Sequence, residues 1–194
     1  MTPEGKDALP AHSVIAVDPQ KCTGCRICEL ACSVHNYGEV DPVRARIFVV
    51  RDETGGLIST IPVVCRQCED ALCERLCPAR ALERDATTGA VVVVEERCLG
   101  CRTCVIVCPF GAPAVDPQLG VAQKCDLCGG EPTCVRVCPN QALVLVPAEE
   151  ESPRRRRSET ERYLSALREE PAPGAGPPVG TAESHGSAAA QGED

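Results

Sequence analysis

The residues with the clearest chemistry in this chain of 194 residues are its 16 cysteines. They form four quartets, each of which begins with a Cys-x2-Cys pair and ends with Cys-x3-Cys. A proline follows the last cysteine of three quartets, and Ser33 takes that place in the first. Thiolates favour soft metals, notably zinc and the iron of iron–sulfur clusters. In chain order the quartets are Cys22, Cys25, Cys28 and Cys32; Cys65, Cys68, Cys73 and Cys77; Cys98, Cys101, Cys104 and Cys108; and Cys125, Cys128, Cys134 and Cys138.

The spacing predicts ligands for 4Fe–4S clusters. A cubane cluster takes one thiolate at each of its four iron corners, and three cysteines at x2, x2 spacing let one loop reach three corners. In ferredoxins with two clusters, the fourth cysteine of each run ligates the other cluster. Zinc commonly uses two Cys-x2-Cys pairs, which does not explain the third cysteine or the trailing Cys-x3-Cys-Pro. We therefore expect four 4Fe–4S clusters on the 16 thiolates.

Charge and targeting signals narrow the setting of these cysteines. Residues 1–20 lack the apolar run of a secretory signal and contain no twin arginine. No stretch approaches the roughly 20 apolar residues of a transmembrane helix, so we expect no direct membrane span. These features predict a cytoplasmic location, where structural disulfides are rare. The formal net charge of −8 argues against a nucleic acid partner.

The remaining polar residues suggest no catalytic chemistry. With every thiolate position filled, none of His12, His35 and His185 is needed as a ligand. The basic run at residues 154–157 is typical of a solvated charge block. The sequence contains no Gly-rich phosphate loop, nucleophile–base pairing or convincing carboxylate pair. We therefore predict a protein that is not an enzyme by itself.

Short strands and turns must position the quartets. The chain alternates β-branched segments with turn residues, and this pattern predicts hairpins. The predicted strands are residues 14–17, 63–64, 91–94 and 143–146. The predicted turns are residues 53–56, 87–89 and 116–120. We expect each fourth cysteine to open a short helical turn, as in residues 29–34, and the proline after it to redirect the chain. The predicted fold class is α+β.

The order of the quartets suggests how they pair. One hairpin separates the second and third quartets, as in a compact two-cluster ferredoxin, so residues 61–116 form a predicted inner unit. Residues 12–60 and 117–147 then form an outer unit around the first and fourth quartets. Pairing of strands 14–17 and 143–146 would close it. Sequential pairing of the first quartet with the second, and of the third with the fourth, is the alternative, and it would leave the terminal strands far apart.

Nested pairing with exchanged fourth cysteines predicts four ligand sets. Set I is Cys22, Cys25, Cys28 and Cys138. Set II is Cys65, Cys68, Cys73 and Cys108. Set III is Cys98, Cys101, Cys104 and Cys77. Set IV is Cys125, Cys128, Cys134 and Cys32.

Three runs carry a resemblance to a known family. The runs Cys-Thr-Gly-Cys-Arg-Ile-Cys-Glu-Leu-Ala-Cys from Cys22, Cys-Arg-Gln-Cys-Glu-Asp-Ala-Leu-Cys from Cys65 and Lys-Cys-Asp-Leu-Cys from Lys124 resemble four-cluster iron–sulfur subunits of multi-subunit oxidoreductases. Such subunits serve molybdenum and tungsten enzymes, formate dehydrogenases, hydrogenases and carbon monoxide dehydrogenases. The resemblance covers about residues 12–147 and implies the nested pairing. Small size and the Cys-Arg-Gln-Cys run are most similar to the small subunit of tungsten aldehyde oxidoreductases.

The resemblance implies electron transfer through four 4Fe–4S clusters. The expected partners are a large catalytic oxidoreductase subunit and a redox carrier, either a ferredoxin or a flavoprotein. The alternative function is an iron–sulfur redox sensor or a binding protein that its clusters stabilise. A sensor usually has one labile cluster with an unfilled position, so four fully ligated clusters favour electron transfer.

The ends of the chain differ in composition from the cysteine-rich region. Residues 148–194 are rich in Glu, Arg, Pro, Gly, Ala and Ser and have few apolar side chains, so they bury too little surface to offset their ordering entropy. The sequence therefore predicts a flexible N-terminus at residues 1–11, a four-cluster domain at residues 12–147 and a disordered tail at residues 148–194. A short helix at residues 159–170 is the one element expected in that tail.

Overall fold

The computed structural model describes residues 12–53 and 58–151, together with residues 157, 160, 161 and 164. The chain divides into two compact units, residues 1–154 and residues 155–194. The four described residues of the second unit are helical. The predicted flexible N-terminus, most of the predicted turn at 53–56, most of the basic run, His185 and most of the predicted tail lie outside the described residues.

Short antiparallel sheets and short helices make up the described part of the first unit, as the α+β prediction requires. Eight strands form four two-stranded sheets there. The pairs are β1 (Ser13–Val17) with β8 (Leu143–Pro147), β2 (Ile47–Asp52) with β3 (Ser59–Val64), β4 (Leu82–Arg84) with β5 (Val91–Val93), and β6 (Ala114–Val115) with β7 (Ala122–Gln123). The predicted strand at 91–94 is fully buried only at Val91, because a two-stranded sheet leaves much of one face uncovered.

The first and last strands pair with each other, as predicted. Val14 lies opposite Val146, and Val17 lies opposite Leu143. Beyond the sheet, the Asp18 N–H donates to the carbonyl of Ala142 at 2.8 Å, which extends the pairing toward the first and last quartets. This sheet therefore joins two segments that lie more than a hundred residues apart in the chain.

Four helices carry the third cysteine of each quartet. They are α1 (Ile27–Tyr37), α2 (Leu72–Arg75), α3 (Thr103–Ile106) and α4 (Thr133–Val137). Each begins one residue before the third cysteine, so the prediction that the fourth cysteine opens the helical turn was wrong. In the last three quartets the fourth cysteine follows the helix, because the next residue is a proline that cannot continue it.

The first quartet differs because Ser33 replaces that proline. The Ser33 hydroxyl is buried, donates to the Leu30 carbonyl at 2.9 Å and accepts the Asp41 N–H at 3.1 Å. Without a proline, α1 continues through 11 residues, well beyond the predicted turn at residues 29–34. It ends at Gly38, whose φ of 74° provides the left-handed conformation that commonly ends helices.

The helices pack in two pairs. α1 contacts α4, and α2 contacts α3, so helices from the first and fourth quartets are neighbours, as are those from the second and third. The largest core contains Ile15, Ile47, Leu127 and Leu143 with cysteines of the first, second and fourth quartets, and Cys108 of the third packs against it. A second core around Leu82 and Val91 contains Cys104 of the third quartet, and cysteines of the second quartet pack against it. Thiols therefore occupy positions that aromatic side chains usually fill, in a chain with 2% aromatic residues.

The cysteine loops share one backbone feature. The second residue after the first cysteine has a positive φ in every quartet, which turns the loop around the space beside it. These residues are Gly24, Gln67, Gly100 and Leu127, with φ of 70°, 45°, 62° and 60°. Two are glycine, which adopts this conformation without steric cost.

Substitution of Gly100 tests how closely the loop of the third quartet packs against the β6–β7 turn. A Cβ there would collide with the backbone oxygen of Gly120 in the β6–β7 turn, whereas a Cβ at Gly111, which has the same φ of 62°, meets nothing within 4 Å. We expect Gly111→Ala to cost about 1–2 kcal/mol through backbone strain and Gly100→Ala to cost about 1–3 kcal/mol more. Chemical denaturation of both variants under anaerobic conditions measures the difference. Equal destabilisation would contradict the close approach of the two loops.

Candidate iron–sulfur centres

Three of the predicted ligand sets each surround a pocket. All four thiols of set I line one pocket, all four of set II line a second, and all four of set IV line a third. The folding of the chain thus brings Cys138 to the first quartet, Cys108 to the second and Cys32 to the fourth. In each case the fourth thiol comes from a distant part of the sequence.

Set III is less enclosed. Cys104 lies within electrostatic reach of Cys98 and Cys101, and Cys77 packs against the same core as Cys98 and Cys104. Cys101 is exposed to solvent and interacts with the Thr103 hydroxyl at 3.4 Å. The structure thus places the members of this set in one region, on the side where α2 and α3 meet.

The thiols of sets I, II and IV surround cavities and do not converge on a site for one metal ion. All 16 cysteines are free thiols. Within residues 12–53 and 58–151, no three His, Cys, Asp or Glu side chains converge on a position for one metal ion. A single zinc ion needs its sulfur ligands at about 2.3 Å from one centre. The four thiols of sets I, II and IV instead line one cavity each, as ligands at separate corners of a multi-iron cluster would.

Backbone N–H groups point at several cysteine sulfurs. The donors are Arg46 to Cys32 at 3.2 Å, Ala81 to Cys77 at 3.3 Å, Ala122 to Cys98 at 3.2 Å and Ala142 to Cys138 at 3.3 Å. Hydrogen bonds to sulfur stabilise thiolate charge and are among the means by which proteins tune iron–sulfur potentials. These contacts fit thiolates that ligate a cluster.

Sequence reasoning missed three alanines, although a Cys-Pro-x-x-Ala repeat marks them. Ala81, Ala112 and Ala142 each follow a fourth cysteine by four residues, and each is at most 3% exposed. The residue before each has a positive φ, which turns the chain back toward the cysteine. The N–H groups of Ala81 and Ala142 consequently reach Cys77 and Cys138.

Sequence reasoning also missed Asn36 and Arg46, which belong to no recognisable motif. The Asn36 amide nitrogen lies 2.8 Å from the Cys32 carbonyl oxygen and 3.5 Å from its sulfur. The Arg46 guanidinium pairs with Asp126 at 2.7 Å, within the loop of the fourth quartet. Both residues line the pocket of set IV. Only the folding of α1 and β2 against the fourth quartet reveals their position.

Burial controls the ionisation of the innermost thiols. Desolvation raises the pKa of Cys28 and Cys134 to about 12, and that of Cys104 to about 11. A thiolate in these positions is unfavourable unless a cation compensates its charge. A bound metal deprotonates its cysteine ligands outright, so these buried thiols suit metal ligation and little else in aqueous chemistry.

The two histidines among the described residues contact polar groups of the protein. The His12 ring nitrogen Nε2 is 2.6 Å from the Gln67 carbonyl oxygen, and His35 Nδ1 is 3.3 Å from the Thr133 hydroxyl. Neither residue lines the pockets of sets I, II and IV.

Comparison with known proteins agrees with this geometry. Residues 57–148 match the family described as 4Fe-4S dicluster domain, and residues 19–38 match a 4Fe-4S binding domain. The polyferredoxin-like subunit of an aliphatic sulfonate oxidoreductase from Pyrococcus furiosus is 44% identical over 64% of this chain and 70% of that protein. Electron transport protein HydN of Escherichia coli K12 is 41% identical over 68% of this chain and 86% of HydN. A subunit of the anaerobic dimethyl sulfoxide reductase of Haemophilus influenzae is 35% identical over 69% of this chain and 73% of that subunit.

The fold and the cysteine pockets define an iron–sulfur protein. The chain belongs to the ferredoxin-like 4Fe–4S family of electron-transfer proteins that includes these relatives. It binds 4Fe–4S clusters, transfers electrons and is not catalytic by itself, as predicted. Across residues 12–53 and 58–151, the helices are all too short or too polar to cross a membrane.

Removing the metal should unfold the first unit. The two cores around Ile15 and Leu82 contain cysteines, and the aromatic content is 2%, so the free energy of cluster binding contributes directly to folding. We expect chelation of iron in the presence of oxygen to abolish the helical circular dichroism signal of the first unit. The control is the same protein incubated for the same time without oxygen and without chelator. An unchanged spectrum after complete iron loss would contradict this expectation.

Proposed function

We propose that the chain holds four 4Fe–4S clusters on sets I to IV and carries electrons between a large catalytic oxidoreductase subunit and a redox carrier. The observation that supports this most is the continuity of the thiols from one set to the next. Cys28 and Cys134 interact between sets I and IV, Cys125 and Cys65 between sets IV and II, and Cys73 and Cys104 between sets II and III. The order is therefore I, IV, II, III.

The nested arrangement of two ferredoxin-like units is supported by packing. The strand pair β1–β8 and the contact between α1 and α4 unite the segments of the proposed outer unit, residues 12–60 and 117–147. The hairpin β4–β5 and the contact between α2 and α3 lie inside the proposed inner unit, residues 61–116. Sequential pairing of the quartets lacks comparable contacts between helices.

Exposure of the cysteines supports electron entry and exit at the two ends of this order. Cys25 in set I and Cys101 in set III are the two exposed cysteines among the 16. The thiols of sets II and IV are buried or partly buried. Each 4Fe–4S cluster, when bound, would carry one electron at a time. The chain's own contribution is to leave the end sets accessible to partners and to shield the middle sets from water.

The relatives support the proposed class of catalytic partner. HydN is named for electron transport, and the other two relatives are subunits of an aliphatic sulfonate oxidoreductase and a dimethyl sulfoxide reductase. The catalytic partner is therefore an oxidoreductase subunit, and a tungsten or molybdenum aldehyde oxidoreductase is the candidate that the sequence favours. The carrier is a ferredoxin or a flavoprotein. A cytoplasmic location stays a prediction from the sequence.

The number and pairing of clusters can be tested together. Protein purified without oxygen should contain about 16 iron and 16 sulfide per chain. In the nested arrangement Cys25 and Cys138 serve one cluster, so the double variant Cys25→Ala, Cys138→Ala should lose one cluster and keep about 12 iron. With sequential pairing, two clusters would each lack one ligand. Two altered EPR signals in the double variant would overturn the nested sets.

The electron-transfer role can be tested by reconstitution. Mixing the holoprotein with a purified tungsten aldehyde oxidoreductase catalytic subunit, aldehyde and oxidised ferredoxin should give aldehyde-dependent ferredoxin reduction. The cluster-free chain, prepared in parallel, should give none. Equal rates with and without clusters would overturn the role, whereas transfer only with a sulfonate oxidoreductase partner would change the catalytic subunit and keep the role.

A further inference from the structure

A buried lysine lies at the junction of the two proposed units. Lys124 directly precedes Cys125 of set IV, and its residue is 2% exposed. The same side chain lines the pocket formed by set II, beside Cys65 and Cys73. It therefore lies between the two ligand sets that occupy the middle of the proposed order.

Three oxygen atoms accept hydrogen bonds from the Lys124 ammonium group. Its Nζ donates to the Cys125 carbonyl at 2.9 Å, to the Gln67 side-chain oxygen at 3.4 Å and to the Val91 carbonyl. An ammonium has three N–H donors and no acceptor, so these three oxygens use every donor.

All three acceptors are formally neutral, which leaves the charge without a carboxylate partner. In the part of the chain that the structure describes, the Lys124 ammonium forms no ion pair with Asp or Glu. A buried cation is costly unless an anion compensates it. The thiols of Cys65 and Cys73, which share a pocket with Lys124, become anionic thiolates once they ligate iron.

A buried glutamine supports this position. Gln67, which is 1% exposed, holds the lysine in place: its amide nitrogen donates to the Cys125 carbonyl at 2.7 Å, and its oxygen also accepts the Val91 N–H at 3.0 Å.

We propose that the charge of Lys124 assists the central electron-transfer step. Because it lies beside sets II and IV, this charge favours the reduced state of the clusters on both. This proposal rests on the proposed function of the chain. Each reduction adds one electron from the donor and no proton, so the net negative charge of a set increases by one. A cation beside both sets stabilises that added charge, and it does so for both sides of the junction at once.

The chain contains a matched control. Lys21 precedes Cys22 of the first quartet as Lys124 precedes Cys125 of the fourth. The Lys21 side chain is 56% exposed and pairs with Asp18 at 3.4 Å, so water and a carboxylate compensate its charge. The same substitution at these two lysines therefore compares a buried, unpaired charge with a solvated, paired one.

The test is an EPR-monitored redox titration of the full chain with dithionite, after iron and sulfide analysis. For Lys124→Met we expect about a tenfold smaller ratio of reduced to oxidised cluster at a given potential, equivalent to about −59 mV for a one-electron couple. Two of the four clusters should shift. Lys21→Met should shift none, and Lys124→Arg should restore most of the original potential. The double variant at Cys25 and Cys138 assigns one of the unshifted signals to set I.

A fully loaded Lys124→Met protein with unchanged potentials would overturn the proposal and leave Lys124 a purely structural bridge. If Lys124→Met does not load, Gln67→Glu decides, because its carboxylate would compensate the lysine without removing it. The same two potentials should then fall, and unchanged potentials would overturn the proposal. Fewer than four clusters in the unaltered chain would instead overturn the proposed function, which the iron count detects separately.

Discussion

The structure depends on burying cysteine thiols around spaces that several segments share. Burial makes the free thiolate unfavourable, as the raised pKa values of Cys28 and Cys134 show. Helices of four or five residues are too short to be stable alone, so α2, α3 and α4 need this common packing. Metal binding and folding are consequently one process in this protein.

The backbone around the cysteines solves the same problem in each quartet. A left-handed residue bends the first loop, a helix presents the third thiol, and in three quartets the proline after the fourth cysteine prevents the helix from continuing. In two of those cases a buried alanine then returns its N–H to the sulfur. The first quartet departs from this pattern through Ser33. Its longer helix α1 brings Asn36 to Cys32, and Arg46, the residue before β2, supplies its N–H in place of the alanine.

Charged groups inside the protein connect the quartets as much as apolar packing does. Arg44 and Asp116, which are 5% and 1% exposed, form a buried ion pair at 2.9 Å between the segment after α1 and the β6–β7 turn. The Tyr37 ring stacks on that guanidinium at 3.7 Å. In this pair the Asp116 carboxylate compensates the Arg44 charge, so the interaction stabilises the fold by itself. Among the described residues the Lys124 ammonium has no carboxylate partner, so its charge acts on the bound clusters.

The sequence by itself determined the type of cofactor, the four quartets and the β1–β8 pairing, because cysteine spacing, proline and β-branched runs act over short distances. It also determined the class of protein through the Cys-Arg-Gln-Cys and Lys-Cys-Asp-Leu-Cys runs. Only the tertiary structure decided where the helices begin, how far α1 extends and which thiols surround a common space. It also decided the roles of Asn36 and Lys124. Those features depend on contacts between segments that are remote in sequence, and no local propensity encodes a carbonyl oxygen or a sulfur contributed by another loop.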